Sequence, residues 1–265
     1  MEPQQHAFTD VDAQPDPSAW IDVLDRVRAE PLYAAYKRRT LELLDPRAGC
    51  TYLEVGMGTG ADALACAELF GVRVVGVDAS QVMVREAARR GLADGVVADA
   101  HSLPFEPESF DGAWADRTFQ HLAEPVKALG EMVRVVRPGG RVVVVDPDYG
   151  MQAVDVPDRE LADRVLRFRA GRLRNGRLAH HMARLFVQAG LTDVAVEVVP
   201  IVLRDPAALD NSLGLRDWAS SACEQGILNS HEVEAWERAL DDAAANGWFL
   251  YAFSLFITAG RKSPR

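Results

Sequence analysis

The chain has 265 residues, of which 29 are basic and 39 are acidic, so its formal net charge is −10. Hydrophobic residues make up 48% and charged residues 26%, which is typical of a globular domain and argues against wholesale disorder. The acidic balance disfavours nucleic-acid binding through a general basic face, and no apolar run reaches the ~18 residues that would span a bilayer. We therefore expect one large α/β domain, or one domain with an inserted lid, in the cytoplasm.

The N-terminal region is predicted to be an arm followed by two helices. Residues 1 to about 18 are polar and contain prolines, so we expect them to be ordered only by contact with the body of the protein or a ligand. They lack the basic and apolar regions of a secretory signal peptide. From Trp20 to Leu44 the apolar residues recur at helical spacing, with an interruption near Pro31.

Short apolar runs and helical stretches alternate after Pro46. The predicted strands are 51–55, 72–78, 95–99, 110–116 and 141–146, and the predicted helices between them are 61–70, 81–90 and 123–136. Strands that alternate with helices indicate an α/β fold in which a parallel sheet carries helices on both faces.

The pattern changes after Asp146. Residues 157–187 are predicted to be largely helical, and a helical insertion at 206–247 lies between two further strands, 194–203 and 253–261. The start of the second helix of the insertion is predicted at Asn229, because Glu232 follows three residues later, as in a capping box.

The strongest motif is EVGMGTG at residues 54–60, directly after a predicted strand and before a helix. Gly56, Gly58 and Gly60 let the backbone turn tightly and approach a ligand without a Cβ in the way. A dinucleotide fingerprint would be GxGxxG, whereas here the third glycine comes one residue early. Glu54 precedes the turn, and its carboxylate suits a cationic ligand better than a pyrophosphate.

Aspartates end the next three predicted strands. Asp78 is placed to accept both hydroxyls of an adenosine ribose, and Asp99 to accept from an adenine amino group. Asp116 ends the fourth strand. Each aspartate alone is as well explained by a turn or a helix N-cap, but their ordered recurrence at strand ends favours a binding site.

These motifs resemble those of the class I S-adenosylmethionine-dependent methyltransferases, specifically the small-molecule group with ubiquinone- and sarcosine-type enzymes. The matching segments are LEVGMGTG (53–60), VVGVDAS (74–80), VADAHSLPF (97–105), FDGAWADRTFQHL (110–122) and VRVVRPGGRVVVVDP (133–147). The resemblance implies S-adenosylmethionine as the cofactor and a Rossmann-like seven-stranded sheet, with the last strand antiparallel between the fifth and the sixth.

The resemblance also implies roles by position. Glu54 and the glycines Gly56, Gly58 and Gly60 would face the methionine part, Asp78 with Ala79 the ribose, Asp99 with Ala100 the adenine, and Asp116 with Arg117 the amino acid end. Ligands of open α/β sheets bind above the carboxyl ends of the strands. We therefore expect residues 1–45 to form an arm and helices over the active site, and residues 46–265 a methyltransferase domain with helical lid segments at about 148–181 and 206–247.

His121 follows the fourth strand, near the expected position of the transferred methyl group. It is a candidate general base, although a histidine that only orders the loop is at least as good an interpretation. Tyr149 and His181 are alternatives for the base. No metal site is expected, because the adjacent residues His180 and His181 point in different directions on a helix and the three cysteines are widely spaced.

The sequence thus predicts methyl transfer to a small-molecule acceptor, such as an intermediate of secondary metabolism. Two alternatives stay open: a nicotinamide-dependent oxidoreductase, disfavoured by the glycine spacing, and a protein that binds the cofactor without methyl transfer.

The segment DPDY at 146–149 is similar to a motif of nucleic-acid amino-methyltransferases. It follows the fifth strand and not the fourth, which disfavours a nucleic-acid substrate. The oligomeric state is left open.

Overall fold

The computed structural model describes residues 10–29 and 31–264. The described residues contain a seven-stranded sheet in the order β3-β2-β1-β4-β5-β7-β6. Its strands are β1 (Thr51–Val55), β2 (Arg73–Asp78), β3 (Gly95–Val97), β4 (Phe110–Asp116), β5 (Val136–Val154), β6 (Leu191–Leu203) and β7 (Tyr251–Lys262). Strands β1 to β5 pair in parallel, and β7 is antiparallel to both β5 and β6. The predicted α/β fold, with its inserted last strand, is confirmed.

Helices cover both faces of this sheet. In the described part of the chain the α-helices are α1 (Ala19–Ala29), α2 (Pro31–Leu44), α3 (Ala61–Phe70), α4 (Gln81–Arg89), α5 (Pro125–Val135), α6 (Arg159–Gly171), α7 (Met182–Gln188), α8 (Pro206–Leu213), α9 (Leu215–Glu224) and α10 (Ser230–Ala245). None of these helices is long and apolar enough to cross a membrane.

Several boundaries differ from the sequence prediction, such as that of β3, which ends at Val97 and not at residue 99. The first part of the insertion 206–247 forms two helices, because Gly214 adopts a left-handed φ of 66° that ends α8 and begins α9. Strand β5 continues to Val154, well beyond the predicted end at residue 146, because its pairing with β7 resumes at Ala153 after an irregular stretch. The capping box before α10 is confirmed, with Asn229 Oδ1 accepting from the Glu232 N–H at 3.0 Å.

The sheet separates two hydrophobic cores. Trp114 and Val143 point into the core on one side, whereas Ala115 and Val144, the next residues along the same strands, point into the other. This period of two is what a sheet buried on both faces requires. Helices α2, α6, α9 and α10 contribute to the first core, and α5 and α7 to the second.

The arm is described from Asp10 onward, so its residues 1–9 lie outside the described residues. Val11 is buried, and the carboxylate of Asp12 accepts from the backbone N–H groups of Gln81 at 2.7 Å and Val82 at 3.3 Å. Asp12 also accepts from the hydroxyl of Ser80. The arm thereby contacts the first turn of α4, which directly follows the end of β2.

Candidate active site

A cavity of about 1110 Å³ lies above the carboxyl ends of the parallel strands. All of the predicted site residues except Glu54 and Gly60 line it, namely Gly56, Gly58, Asp78, Ala79, Asp99, Ala100, Asp116, Arg117 and His121. The topology therefore brings residues from four separate strand ends together at one site, as expected for an open α/β sheet.

The turn after β1 requires glycine at two cavity-lining positions. Gly56 and Gly58 have φ values of 73° and 53°, in the left-handed region that favours glycine. A Cβ on Gly56 would lie 2.3 Å from the hydroxyl oxygen of Thr118, and one on Gly58 would lie 3.1 Å from Leu24 of α1. Gly60 permits close packing against α4. A Cβ on Gly60 would lie only 2.8 Å from the side chain of Ala87 in that helix.

Asp78 ties this turn to the next one. Its Oδ2 accepts from the Gly58 N–H at 2.8 Å and its Oδ1 from the Ser80 N–H at 2.9 Å. Desolvation raises the pKa of Asp78, and the backbone hydrogen bonds from Ser80 and Gly58 act against that rise. Each carboxylate oxygen has a second lone pair, so Asp78 can hold the turn and still accept from a ligand in the cavity.

Asp99 follows β3, the strand next to β2, and also lines the cavity. Its side chain is 65% exposed, and its Oδ1 accepts from the His101 backbone N–H at 2.9 Å and contacts the His101 Nδ1 at 2.5 Å. Desolvation alone would raise the pKa of Asp99, but the bonds from His101 outweigh it and the pKa is lowered. Contact of Asp99 with an adenine stays a prediction.

A buried ion network lies behind the glycine turn. Lys37 of α2 donates to Asp116 Oδ2 at 2.8 Å and also to Asp62, while the hydroxyl of Tyr36 donates to Asp116 at 3.1 Å. Burial alone would lower the pKa of Lys37, but the adjacent Asp116, Tyr36 and Asp62 raise it. Tyr36 is 1% exposed and does not line the cavity, whereas Tyr33 of the same helix does.

Glu54 is part of the same region. It is 2% exposed, and desolvation followed by repulsion from Asp62 raises its pKa well above the ordinary range. Its Oε2 has no hydrogen-bond partner within the described residues. The neighbouring carboxylates of Asp62 and Asp116 give this end of the site a negative potential that suits a cationic group, and a bound cation would in turn favour the ionised form of Glu54.

Arg117 adopts a backbone conformation that is uncommon for its residue type. Its φ is 54°, a left-handed value that costs a non-glycine residue about 1 kcal/mol or more. The guanidinium carbon lies 5.3 Å from the centroid of the Tyr33 ring, and Nε lies 3.5 Å from Asp116 Oδ1. Strain of this kind at the end of a strand that borders a cavity is typical of a functional position.

His121 lines the cavity, but its protonation differs from that of an ordinary histidine. Burial, followed by repulsion from Arg117 and Arg169, lowers the pKa of His121 to about 4. The imidazole is therefore uncharged at neutral pH. It is in the correct form to accept a proton, but it is a weaker base than a histidine with a pKa near 6.5.

Of the alternatives for the base, Tyr149 lines the cavity and His181 does not. The ring of His181 contacts that of His180 in a tilted arrangement, with centroids 3.9 Å apart and an interplanar angle of 60°, and His180 contacts the fully buried side chain of Asp148. His180 and Asp148 also lie outside the cavity lining. Within residues 10–29 and 31–264, no group of three or more metal-ligating side chains is close enough to hold a metal ion.

Five more residues that line the cavity lie in segments where the sequence analysis found no motif. They are Tyr149, Arg169, Arg172, Trp218 and Phe253. The first three belong to the predicted lid 148–181, and Trp218 to the predicted lid 206–247. That these segments open and close as lids stays a prediction.

Comparison with known proteins places these observations in a family. A methyltransferase domain family matches residues 53–144. A demethylmenaquinone methyltransferase from Thermus thermophilus is 35% identical over 157 residues, which cover 57% of this chain and 71% of the relative. The chain belongs to the class I S-adenosylmethionine-dependent methyltransferases. Its cofactor is S-adenosylmethionine, and the alternative of a nicotinamide-dependent oxidoreductase is not supported.

Other similar proteins differ in function and in how much of their length this chain covers. An uncharacterized 37.1 kDa protein of transposon Tn4556 from Streptomyces fradiae is 36% identical over 258 residues, covering 92% of this chain and 72% of that protein. The solved structure of the [4+2]-cyclase SpnF is similar with a TM-score of 0.54 and 25% identity, covering 87% of this chain and 81% of that one. The chain spans about half the length of several other methyltransferases that it matches.

The residues present fit the cofactor. The two cavity-lining glycines leave room where a Cβ would project, Asp78 has free lone pairs beside them, and the unused Glu54 oxygen lies in the acidic region behind the turn. S-adenosylmethionine has a ribose and two cationic groups, the sulfonium and the ammonium, which these features complement.

The depressed pKa of His121 predicts an unusual pH dependence. A base with a pKa of about 4 is already deprotonated at pH 6, so we expect no His121-dependent acidic limb in kcat between about pH 6 and 8. His121→Asn should lower kcat by less than the ~10²-fold typical of a lost general base, with an unchanged profile. His231→Asn, at an exposed position remote from the cavity, is the control. An acidic limb near pH 6.5 that disappears in His121→Asn would contradict this prediction.

The contact between the arm and α4 predicts a change in cofactor retention. Asp12→Ala removes the acceptor of the Gln81 and Val82 N–H groups, a contribution of ~1 kcal/mol for a capping carboxylate. We expect S-adenosylhomocysteine to dissociate about fivefold faster, as measured by stopped-flow fluorescence. Asp16→Ala is the matched control, because Asp16 bonds only within its own segment, to Ser18. Equal dissociation rates in the two variants would show that the arm does not retain the ligand.

Proposed function

We propose that this protein transfers a methyl group from S-adenosylmethionine to a small-molecule acceptor, an intermediate of secondary metabolism. The observation that supports this is that one cavity is lined by two kinds of residue. The glycine turn and Asp78 line it, and so does a cluster in which Arg169 packs on the rings of Tyr149 and Trp218. A volume of about 1110 Å³ is large for a single drug-sized ligand and gives room for a cofactor and an acceptor side by side.

The cofactor-binding roles follow from the contacts of each residue. Asp78, fixed by the Gly58 and Ser80 N–H groups, would accept from the ribose hydroxyls. Gly56 and Gly58 would let the backbone approach the ligand closely. Asp116 and Arg117, oriented by Tyr36 and Lys37, would border the amino acid end. When bound, S-adenosylmethionine supplies a methyl group whose bond to sulfur breaks as the acceptor atom bonds to the carbon and loses a proton.

The protein contributes mainly by positioning. Side chains that hold the acceptor in line with the reacting carbon can account for ~7–11 kcal/mol of barrier lowering without any proton transfer. His121 is uncharged at neutral pH and can order the loop after β4 or receive a proton from an acceptor hydroxyl or amine. Because its pKa is low, His121 is a weak base. For an acceptor that loses its proton readily, ordering of the loop is therefore the favoured role of His121.

Formation of S-adenosylhomocysteine tests the proposal. The protein is incubated with S-adenosylmethionine and a panel of small phenols, amines and carboxylic acids, and the homocysteine product and methylated acceptor are measured together by mass spectrometry. Equal amounts of both products, absent in Asp78→Ala, are expected.

The competing interpretation is a protein of this fold that binds the cofactor without transferring its methyl group, and the similarity to a cyclase makes it a specific alternative. Conversion of an acceptor with no S-adenosylhomocysteine formed would favour that alternative and contradict methyl transfer.

A further inference from the structure

The acceptor part of the cavity contains two arginines on one side. Arg169 lies on α6, and Arg172 directly follows the end of that helix. The guanidinium carbon of Arg169 lies 4.7 Å from the centroid of the Tyr149 ring and 5.3 Å from that of Trp218. Arg172 is 8% exposed and donates to the hydroxyl of Ser221 at 3.1 Å. Both guanidinium groups are therefore held in place by neighbouring side chains.

No carboxylate among the described residues forms an ion pair with either of these two cations. Within the described ranges, neither arginine has a carboxylate within the 4.0 Å of an ion pair, and the buried Nε of Arg169 has no hydrogen-bond partner. Burial and then repulsion from Arg169 lower the pKa of Arg172, while Asp217 and Glu224 offset this only in part. Buried charges are normally paired. The buried guanidinium of Arg172 and the half-buried one of Arg169 have no carboxylate partner among the described residues, which indicates a missing anion.

The two arginines belong to a protein that is acidic as a whole. The chain as a whole has a net charge of −10, so the arginines do not reflect a generally basic surface. Burial is the largest cause of the low pKa of His121, and repulsion from Arg117 and Arg169 lowers it further. An acidic protein thus presents a local cationic site at the end of its cavity that lies away from Asp78.

We propose that the methyl acceptor has an anionic oxygen group, a carboxylate or a phosphate, on an aromatic body, and that Arg169 and Arg172 bind that group. The planar guanidinium fork matches both anions geometrically, and Tyr149, Trp218 and Phe253 offer aromatic surface for the rest of the molecule. This inference rests on the proposed function, because it names the substrate class of the same cavity.

Matched probes test the anion site without requiring turnover. Binding of benzoate, phenyl phosphate and neutral benzamide is measured by calorimetry, with the protein saturated with S-adenosylhomocysteine. We expect at least one anion to bind about tenfold or more tightly than benzamide, and the better of the two identifies the anion as carboxylate or phosphate. The preference should disappear in Arg169→Gln/Arg172→Gln and be partly kept in Arg169→Lys.

Arg167→Gln is the matched control, because Arg167 lies on the same helix but is exposed and does not line the cavity. Thermal unfolding and S-adenosylhomocysteine affinity establish that each variant is folded. Benzamide that binds as well as both anions, an anion preference that survives the double substitution, or no binding of any probe would overturn the proposal. Anion binding through the arginines without S-adenosylhomocysteine formation for any acceptor would support the anion site and contradict methyl transfer.

Discussion

Asp78→Ala should weaken binding of S-adenosylhomocysteine by about 10²- to 10³-fold, the largest effect on cofactor affinity that we expect from one side chain. The substitution removes charge-assisted hydrogen bonds of ~1.5–3 kcal/mol each to the ribose, and it also releases the turn at Gly58. Calorimetric titration measures the affinity, and thermal unfolding establishes that the variant remains folded.

Two further variants separate the contributions of Asp78. Asp78→Asn keeps one oxygen to accept from the Gly58 N–H but loses the negative charge, so its affinity should lie between those of the wild type and Asp78→Ala. Asp94→Ala is the control, because Asp94 pairs with Arg73 at the surface and does not line the cavity. Unchanged affinity in Asp78→Ala would refute the ribose assignment.

Lys37→Met should destabilise the protein by ~3–5 kcal/mol, as expected when one partner of a buried ion network is removed. The lysine side chain is 16% exposed and that of Asp116 is 8% exposed, so the carboxylates left behind have little access to water. Asp62 and Glu54 would repel each other and Asp116 without the intervening ammonium. Urea unfolding measures the loss.

The loss should depend on pH and on ligand. Without Lys37 the pKa values of the clustered carboxyls rise above their unfolded values, so the folded variant binds protons more readily than the unfolded chain. Its deficit in the free energy of unfolding should therefore shrink as the pH falls from about 8 to about 5. S-adenosylhomocysteine, which carries an ammonium group, should also reduce the deficit. Arg38→Met, the adjacent exposed position on α2, is the control, and an equal effect of both substitutions would contradict this role of Lys37.

Much of the fold is encoded locally and could be predicted. The runs at 51–55 and 110–116 are apolar on both faces, and the strand-to-helix glycine turn is specific enough to place Gly56, Gly58 and Asp78 correctly. The full extent of β5 could not be predicted, because its last residues pair with β7, about a hundred residues later in the chain. Such a pairing leaves no signal in the local sequence.

The site was predictable only where the residues follow strands. Asp78 and Asp116 end β2 and β4, and Asp99 follows β3 by two residues; the sheet topology brings these strand ends to one edge. Lys37 and Arg169 lie in helical segments whose charges look like those of solvated faces, and their burial depends on how α2 and α6 pack over the sheet. For the same reason the low pKa of His121 could not be predicted, since it depends on Arg169, a residue 48 positions away.

A crystal structure of the complex with S-adenosylhomocysteine is the most direct test of the central claim, that this cavity holds the cofactor on the glycine turn and leaves the arginine-lined part for the acceptor. We expect the ribose hydroxyls within hydrogen-bond distance of Asp78, the amino acid end beside Asp116 and Arg117, and the sulfur facing the space in front of His121. A ligand that lies against Arg169 and Arg172, or that makes no contact with Asp78, would contradict the assignment of the two parts of the cavity.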